Sequence, residues 1–178
     1  MNSPPDWGRL LSNIPLPEQN LAGIAAGVVL QRLMPLRLGG PHFLVRTIGA
    51  ASLAAGGATV TGAWLAARNT RLARPDALVT AGPYALSRNP MYVGWALAHL
   101  GVGLLRDDAW MVAALPVASG AVHRGVLREE EVLAAWFPAE FSQYCLSVPR
   151  YVPRLRLGWR SGRPLHPRWM PRARKKWL

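Results

Sequence analysis

The chain of 178 residues is 51% apolar and only 17% charged. An ordinary soluble domain carries roughly 25% charged residues, so one membrane-embedded unit is expected, with about 100 to 200 residues the usual size of such a unit. Its 21 Lys and Arg against 9 Asp and Glu leave a net charge of +12; with no nucleic-acid recognition pattern present, arginines beside apolar runs exclude nucleic acid as the expected partner and suit an anionic leaflet.

In chain order, residues 1–20 lack the basic start and apolar centre of a signal peptide, so the first apolar segment is expected to stay in the mature protein. That segment, Leu21 to Leu36, is interrupted by Gln31 and Arg32 and ended by Pro35. The second, Phe43 to Ala67, is long enough for a hydrocarbon core of about 30 Å at 1.5 Å per residue. Its run "GAASLAAGGATVTGAW" is dense in small residues, which lets helix backbones approach closely. The third, Met91 to Leu105, makes only about 22 Å of helix and spans if the bilayer thins or its flanks snorkel. The fourth, Ala109 to Val126, follows the turn "RDD" and closes a helical hairpin, with a kink expected at Pro116 and Gly120. Leu127, Val132, Leu133, Trp136 and Phe137 continue at helical spacing until Pro138, where the helix should break.

The predicted fold is all-α: a membrane bundle of about four transmembrane helices over residues 1–158, with its core at 70–153, a cytoplasmic cofactor pocket, and a basic, flexible tail over 159–178. Arg68, Arg71, Arg74 and Arg88 face a single acid, Asp76, between spans two and three. From Arg124 onward twelve basic residues face Glu129, Glu130, Glu131 and Glu140. Both segments therefore belong on the cytoplasmic side; Arg37 and Arg46 in the first loop run against this pattern. The tail, with Arg, Lys, Trp and Pro and no acid, is expected to adsorb to anionic lipids. Cys145 is the one cysteine, which excludes an intramolecular disulfide and a multi-cysteine zinc site and fits a reducing compartment.

Because spans three and four are joined by a tight turn, the polar segment before one and the acidic segment after the other must be neighbours. Gly82 and Pro83 make a turn with free backbone groups. Arg88 presents planar donors for a carboxylate, Asn89 and Pro90 open span three, and Tyr84 and Tyr92 add ring faces and hydroxyls. Glu129, Glu130 and Glu131 crowd three carboxylates together, which needs compensation by a cation or hydroxyls. Arg and Tyr at a membrane boundary also serve as plain helix anchors, and an acidic triplet as a solvated face.

The stretches "LVTAGPYALSRNPMYVGW" and "REEEVLAAWFPAEFSQYCLSVPRYVP" closely resemble the isoprenylcysteine carboxyl methyltransferase family and its bacterial relatives, grouped with the phospholipid methyltransferases. The family pattern runs LVTxGPYxxxRHPxYxGW, then a hairpin, then EExxLxxxFGxxYxxYxxxVPR, and the likeness covers Leu78 to Pro153. It implies an integral membrane enzyme that transfers a methyl group from S-adenosylmethionine. Position by position, Leu78, Val79, Gly82, Pro83 and Tyr84 would line the cofactor; Arg88, Asn89 and Tyr92 would hold its amino-acid end, and Glu129 and Glu130 its ribose or amino group.

This chain departs from that pattern in several places. Asn89 stands where the family usually has His, Phe137-Pro138 where it has Phe-Gly, and Phe141 where it has the first Tyr, whereas Tyr144 is retained. His123 and Arg124 occupy the neighbourhood where the lipidated-cysteine enzymes keep a basic residue against the acceptor carboxylate. His99, inside span three, reads as an interhelical hydrogen-bonding residue. Transfer to a carboxylate on a lipophilic acceptor needs a positive clamp, Arg88 or Arg124; transfer to a lipid amine needs a proton sink, Glu130. The carboxylate is the expected acceptor, a phospholipid or lipid amine the alternative, and a catalytically inactive lipid-binding or scaffold protein the alternative of a different class.

Overall fold

The computed structural model describes residues 17–68, 70 and 75–152. Residues 1–16, Arg71, Arg74 and the tail over 159–178 lie outside them. The described residues form five α-helices: α1 Glu18–Leu33, α2 His42–Ala66, α3 Pro90–Leu105, α4 Ala109–Trp136 and α5 Pro138–Ser147. A 3-10 turn, Gly82–Ala85, precedes α3.

The boundaries follow local chemistry. α1 ends ahead of Pro35. α3 opens with Pro90 in its first position behind Asn89, where a missing N–H costs nothing. Asp107 takes a left-handed φ of 52°, reversing the chain within "RDD", and the Asp108 carboxylate accepts the Met111 N–H at 3.0 Å, capping α4. α4 then runs unbroken through Pro116 and Gly120 to Trp136, so the expected kink does not interrupt the helix. Its separation from α5 at Phe137 and Pro138 matches the break expected there.

α2 and α4 are long and apolar enough to cross a membrane, with 25 and 28 residues. α1 and α3, at 16 residues each, are shorter; about 24 Å of helix apiece falls short of a 30 Å core. Large apolar side chains such as Leu33, Phe43, Ile48 and Val117 point outward, as lipid contact requires. At about 42 Å, α4 is longer than that core, and its last turns carry Arg128 and the three glutamates.

The small residues do what their density suggests. α2 and α3 pack antiparallel so closely that a Cβ on Gly56 would lie 2.6 Å from the Gly94 carbonyl oxygen, and one on Gly101 2.6 Å from the Leu53 nitrogen. The Ser52 hydroxyl adds a bond to the Leu97 carbonyl at 2.9 Å. α1 packs on α4, and the buried His99 of α3 joins them, one ring nitrogen 3.1 Å from the Asn20 side chain of α1 and the other 3.1 Å from the Met111 carbonyl of α4. At the turn end of the bundle Trp110 Nε1 donates to the Met34 carbonyl. The opposite end gathers the 3-10 turn, the start of α3, the end of α4 and α5.

Candidate active site

The site grows from the 3-10 turn. Gly82 has φ 60°, a left-handed conformation that glycine adopts freely. The buried Tyr144 of α5 donates its hydroxyl to the Tyr84 carbonyl at 2.6 Å, fixing the turn against α5. The chain beyond α5 then folds back: Arg88 N–H donates to the Pro149 carbonyl at 2.9 Å, and Ser87 Oγ to the Arg150 carbonyl at 3.1 Å.

Glu130 lies at the centre of this closure. Arg88 donates to it through Nε at 3.2 Å and Nη2 at 3.3 Å. Arg150 donates through Nε at 3.1 Å to each oxygen and through Nη2 at 2.8 Å. The Asn89 amide reaches the same carboxylate at 3.4 Å and the Arg150 carbonyl at 3.2 Å. Residues 88, 89, 130 and 150 thus form one clasp of two guanidiniums on one carboxylate. Burial by itself would raise the Glu130 pKa, but the Arg150 hydrogen bonds and the charges of both arginines outweigh it and hold the carboxyl below its ordinary value. The Glu130 bonds in turn raise Arg150.

Glu129, one residue earlier and rotated about 100° around the helix, stays outside the clasp: its carboxylate is exposed and accepts the Tyr92 hydroxyl at 2.7 Å. Burial, then the Glu129 charge, pushes the Tyr84 hydroxyl up to about 12, so it stays a neutral phenol. Burial likewise raises Tyr144. Glu131 is exposed and lines no described cavity.

Two cavities open here. The larger, about 550 Å³, is walled by Leu78, Val79, Leu133, Trp136 and Phe141, with Tyr84, Arg88, Asn89, Tyr92, Arg128, Glu129, Glu130 and Tyr144 as its polar residues. Its volume lies in the range of small-molecule sites. The smaller, about 320 Å³, sits between α1, α3 and α4 and is walled by Val93, Leu97, Leu100 and Leu115, among others. Its polar residues are Asn20, Tyr92, Ser119, His123 and Tyr151; among the described residues no Arg, Lys, Asp or Glu lines it. Tyr92 lines both cavities.

The residues singled out from the sequence are therefore divided. Leu78, Val79, Tyr84, Arg88, Asn89, Tyr92, Glu129 and Glu130 line the larger cavity. Gly82 and Pro83 do not: they pack on α2, where Pro83 Cγ would meet a Cβ on Gly62 at 3.1 Å, so their part is to place the turn. Arg124 is exposed and lines neither cavity, because successive residues of α4 face different directions and His123 takes the inward one. Sequence reasoning passed over Arg150 and Tyr151. The signal was present in "VPRYVP", where an arginine and a tyrosine follow a proline that turns the chain back towards "SRNP".

Residues 45–140, more than half of the 178, match the family model described as phospholipid methyltransferase. Among curated proteins, the cobalt-zinc-cadmium resistance protein CzcN of Cupriavidus metallidurans is 40% identical over 83 residues, 46% of this chain and 38% of its own length. The nickel-cobalt-cadmium resistance protein NccN of Alcaligenes xylosoxydans xylosoxydans is 36% identical over 81 residues, 45% of this chain and 38% of its own. The chain thus matches under two-fifths of either relative. The matched stretch carries α3, α4 and, of the clasp, Arg88, Asn89 and Glu130, with Arg150 beyond its end, and by it this chain belongs to the phospholipid methyltransferase family.

Proposed function

We propose that the protein transfers a methyl group from S-adenosylmethionine to a lipophilic acceptor, with the donor in the larger cavity and the acceptor in the smaller. The observation that carries this reading is the shared wall: a cavity with charged side chains in its lining and an apolar cavity have one residue in common, the phenol Tyr92. The larger cavity fits the donor's chemistry, with apolar and aromatic walls (Leu78, Trp136, Phe141) for the adenine, Glu129 for ribose hydroxyls or the ammonium, and the clasp with Asn89, net positive with two guanidiniums on one carboxylate, near the donor's carboxylate. When bound, the donor supplies an electrophilic methyl on a sulfonium, whose positive charge is lost on transfer. The protein's own part is to align the partners and keep water out. By the arginine pattern, the mouth of the larger cavity faces the cytoplasm and α1 to α4 form a four-pass bundle.

Of the two acceptor heads left open by the sequence, the carboxylate has less support from the geometry. Arg124 lies outside both cavities, and Arg88 spends four of its five N–H donors on Glu130 and the carbonyls of Cys145 and Val148. Glu130, tied to two guanidiniums, is a poor proton sink, since a proton there would displace charge-assisted bonds.

The test is calorimetric titration of the purified protein in detergent with S-adenosylmethionine, followed by incubation with radiolabelled donor and a membrane lipid extract. The reading predicts saturable binding, weakened at least tenfold by Glu129→Ala, and label entering a lipid-soluble product. No binding to the wild-type chain would remove it.

A further inference from the structure

The smaller cavity has a polar end that the donor does not need. His123 Nδ1 lies 2.7 Å from the Tyr151 hydroxyl, their rings tilted with centroids 5.8 Å apart. Both line the apolar cavity, together with Tyr92, which also lines the larger one. The other His123 nitrogen has no hydrogen-bond partner among the described residues. A titratable ring held by a phenol at the lip of an otherwise apolar cavity is costly as mere packing, and α4 could carry a leucine there.

We propose that His123, oriented by Tyr151, is the proton acceptor for the methyl acceptor, and that the acceptor is a lipophilic molecule with an uncharged protic head, X–H, rather than a carboxylate. The inference rests on the methyl-transfer reading above and deepens it. A carboxylate already carries its lone pair and needs a cation beside it, and among the described residues no Arg or Lys lines this cavity. A protic head needs the reverse: somewhere for its proton to go. The X lone pair forms the X–C bond as the C–S bond breaks onto the sulfonium sulfur of the donor, leaving a thioether. The X–H proton passes to Nε2 of His123. The tautomer this requires has Nδ1–H donating to the Tyr151 oxygen. After the step the imidazolium keeps that bond, now charge-assisted. Tyr151 is a positioning residue, held over His123 because Arg150, the preceding residue, is anchored on Glu130. The clasp thus sets the geometry of the acceptor's base as well as the wall of the donor cavity.

The experiment uses the full chain in detergent, radiolabelled S-adenosylmethionine, and four probes with one ten-carbon tail: decylamine, decanethiol, decanol and decanoate. Donor affinity is measured by calorimetry in parallel. The proposal predicts label on at least one protic head and none on decanoate. It predicts a fall of about a hundredfold in turnover for His123→Ala, the size usual for a lost general base, with donor affinity unchanged and activity partly restored by added imidazole, which a merely structural role would not allow. Tyr151→Phe should lower turnover about fivefold, as for one lost hydrogen bond. An alkali-labile ester on decanoate, no label on any protic probe while donor binds, or wild-type turnover in His123→Ala would overturn it. Failure of the wild-type chain to bind donor would instead bring down the methyl-transfer reading and this inference with it.

Discussion

Two junctions hold the molecule together by opposite means. Between α2 and α3 the joint is backbone against backbone, Gly56 on Gly94 and Gly101 on Leu53. At the mouth of the site the joint is ionic, with Arg88 and Arg150 on Glu130. Solvent explains the difference. Within hydrocarbon there is no water to expel, so helices gain by close approach alone; at the boundary, charge-assisted bonds draw together segments far apart in the chain. The first joint makes a scaffold, and the second closes a cavity on top of it.

The comparison is broken most severely by Gly56→Leu. Its side chain would collide with backbone atoms of Gly94 and Ala98 at 2.6 and 2.7 Å, which cannot rotate away, so a loss of about 3 kcal/mol or more is expected, read as loss of the monodisperse fraction in detergent. Glu130→Ala should cost less, about 2 kcal/mol. Breaking a buried pair costs about 3–5 kcal/mol, but Arg150 remains 36% exposed and solvent will take up part of its charge. Helical content should survive while donor affinity falls, separating closure from scaffold.

The ionic joint should also answer to pH in one direction. Glu130 is held below its ordinary value, so its contribution is complete above the unfolded carboxyl pKa of about 4.3 and is lost as pH falls through the lower folded value. The melting temperature should therefore stay flat from neutrality down to about pH 5 and decline only below about pH 4. Tyr144→Phe, which removes the 2.6 Å bond to the Tyr84 carbonyl, should cost about 1 kcal/mol, seen as a small drop in melting temperature. Arg124→Ala sharpens the comparison by doing nothing: an exposed residue off both cavities should change stability by no more than about 0.5 kcal/mol and leave donor affinity alone.

How much of this could be read beforehand depended on the range of the interaction. Helix limits are local: Pro35, Asn89-Pro90, "RDD" and Pro138 punctuate the chain where the helices begin and end. The glycine-rich seam was visible as a small-residue run, and the meeting of Asn89 with Glu130 followed from a tight turn between two antiparallel helices. What was not legible was rotation about α4. Three glutamates in a row, or His123 beside Arg124, differ by about 100° per residue, and only packing decides which of them line a cavity. Arg150 was missed for a related reason: it lies beyond the last helix while its partner is twenty residues earlier on α4, and a basic residue ahead of a basic tail gives no sign that it folds back.

The central claim is that donor and acceptor meet at Tyr92. A structure of the protein with S-adenosylhomocysteine tests it most directly. The account predicts the adenine between Leu78 and Trp136 and the thioether sulfur beside the Tyr92 ring, facing the apolar cavity. A ligand found outside the larger cavity, or with its sulfur turned away from Tyr92, would contradict it.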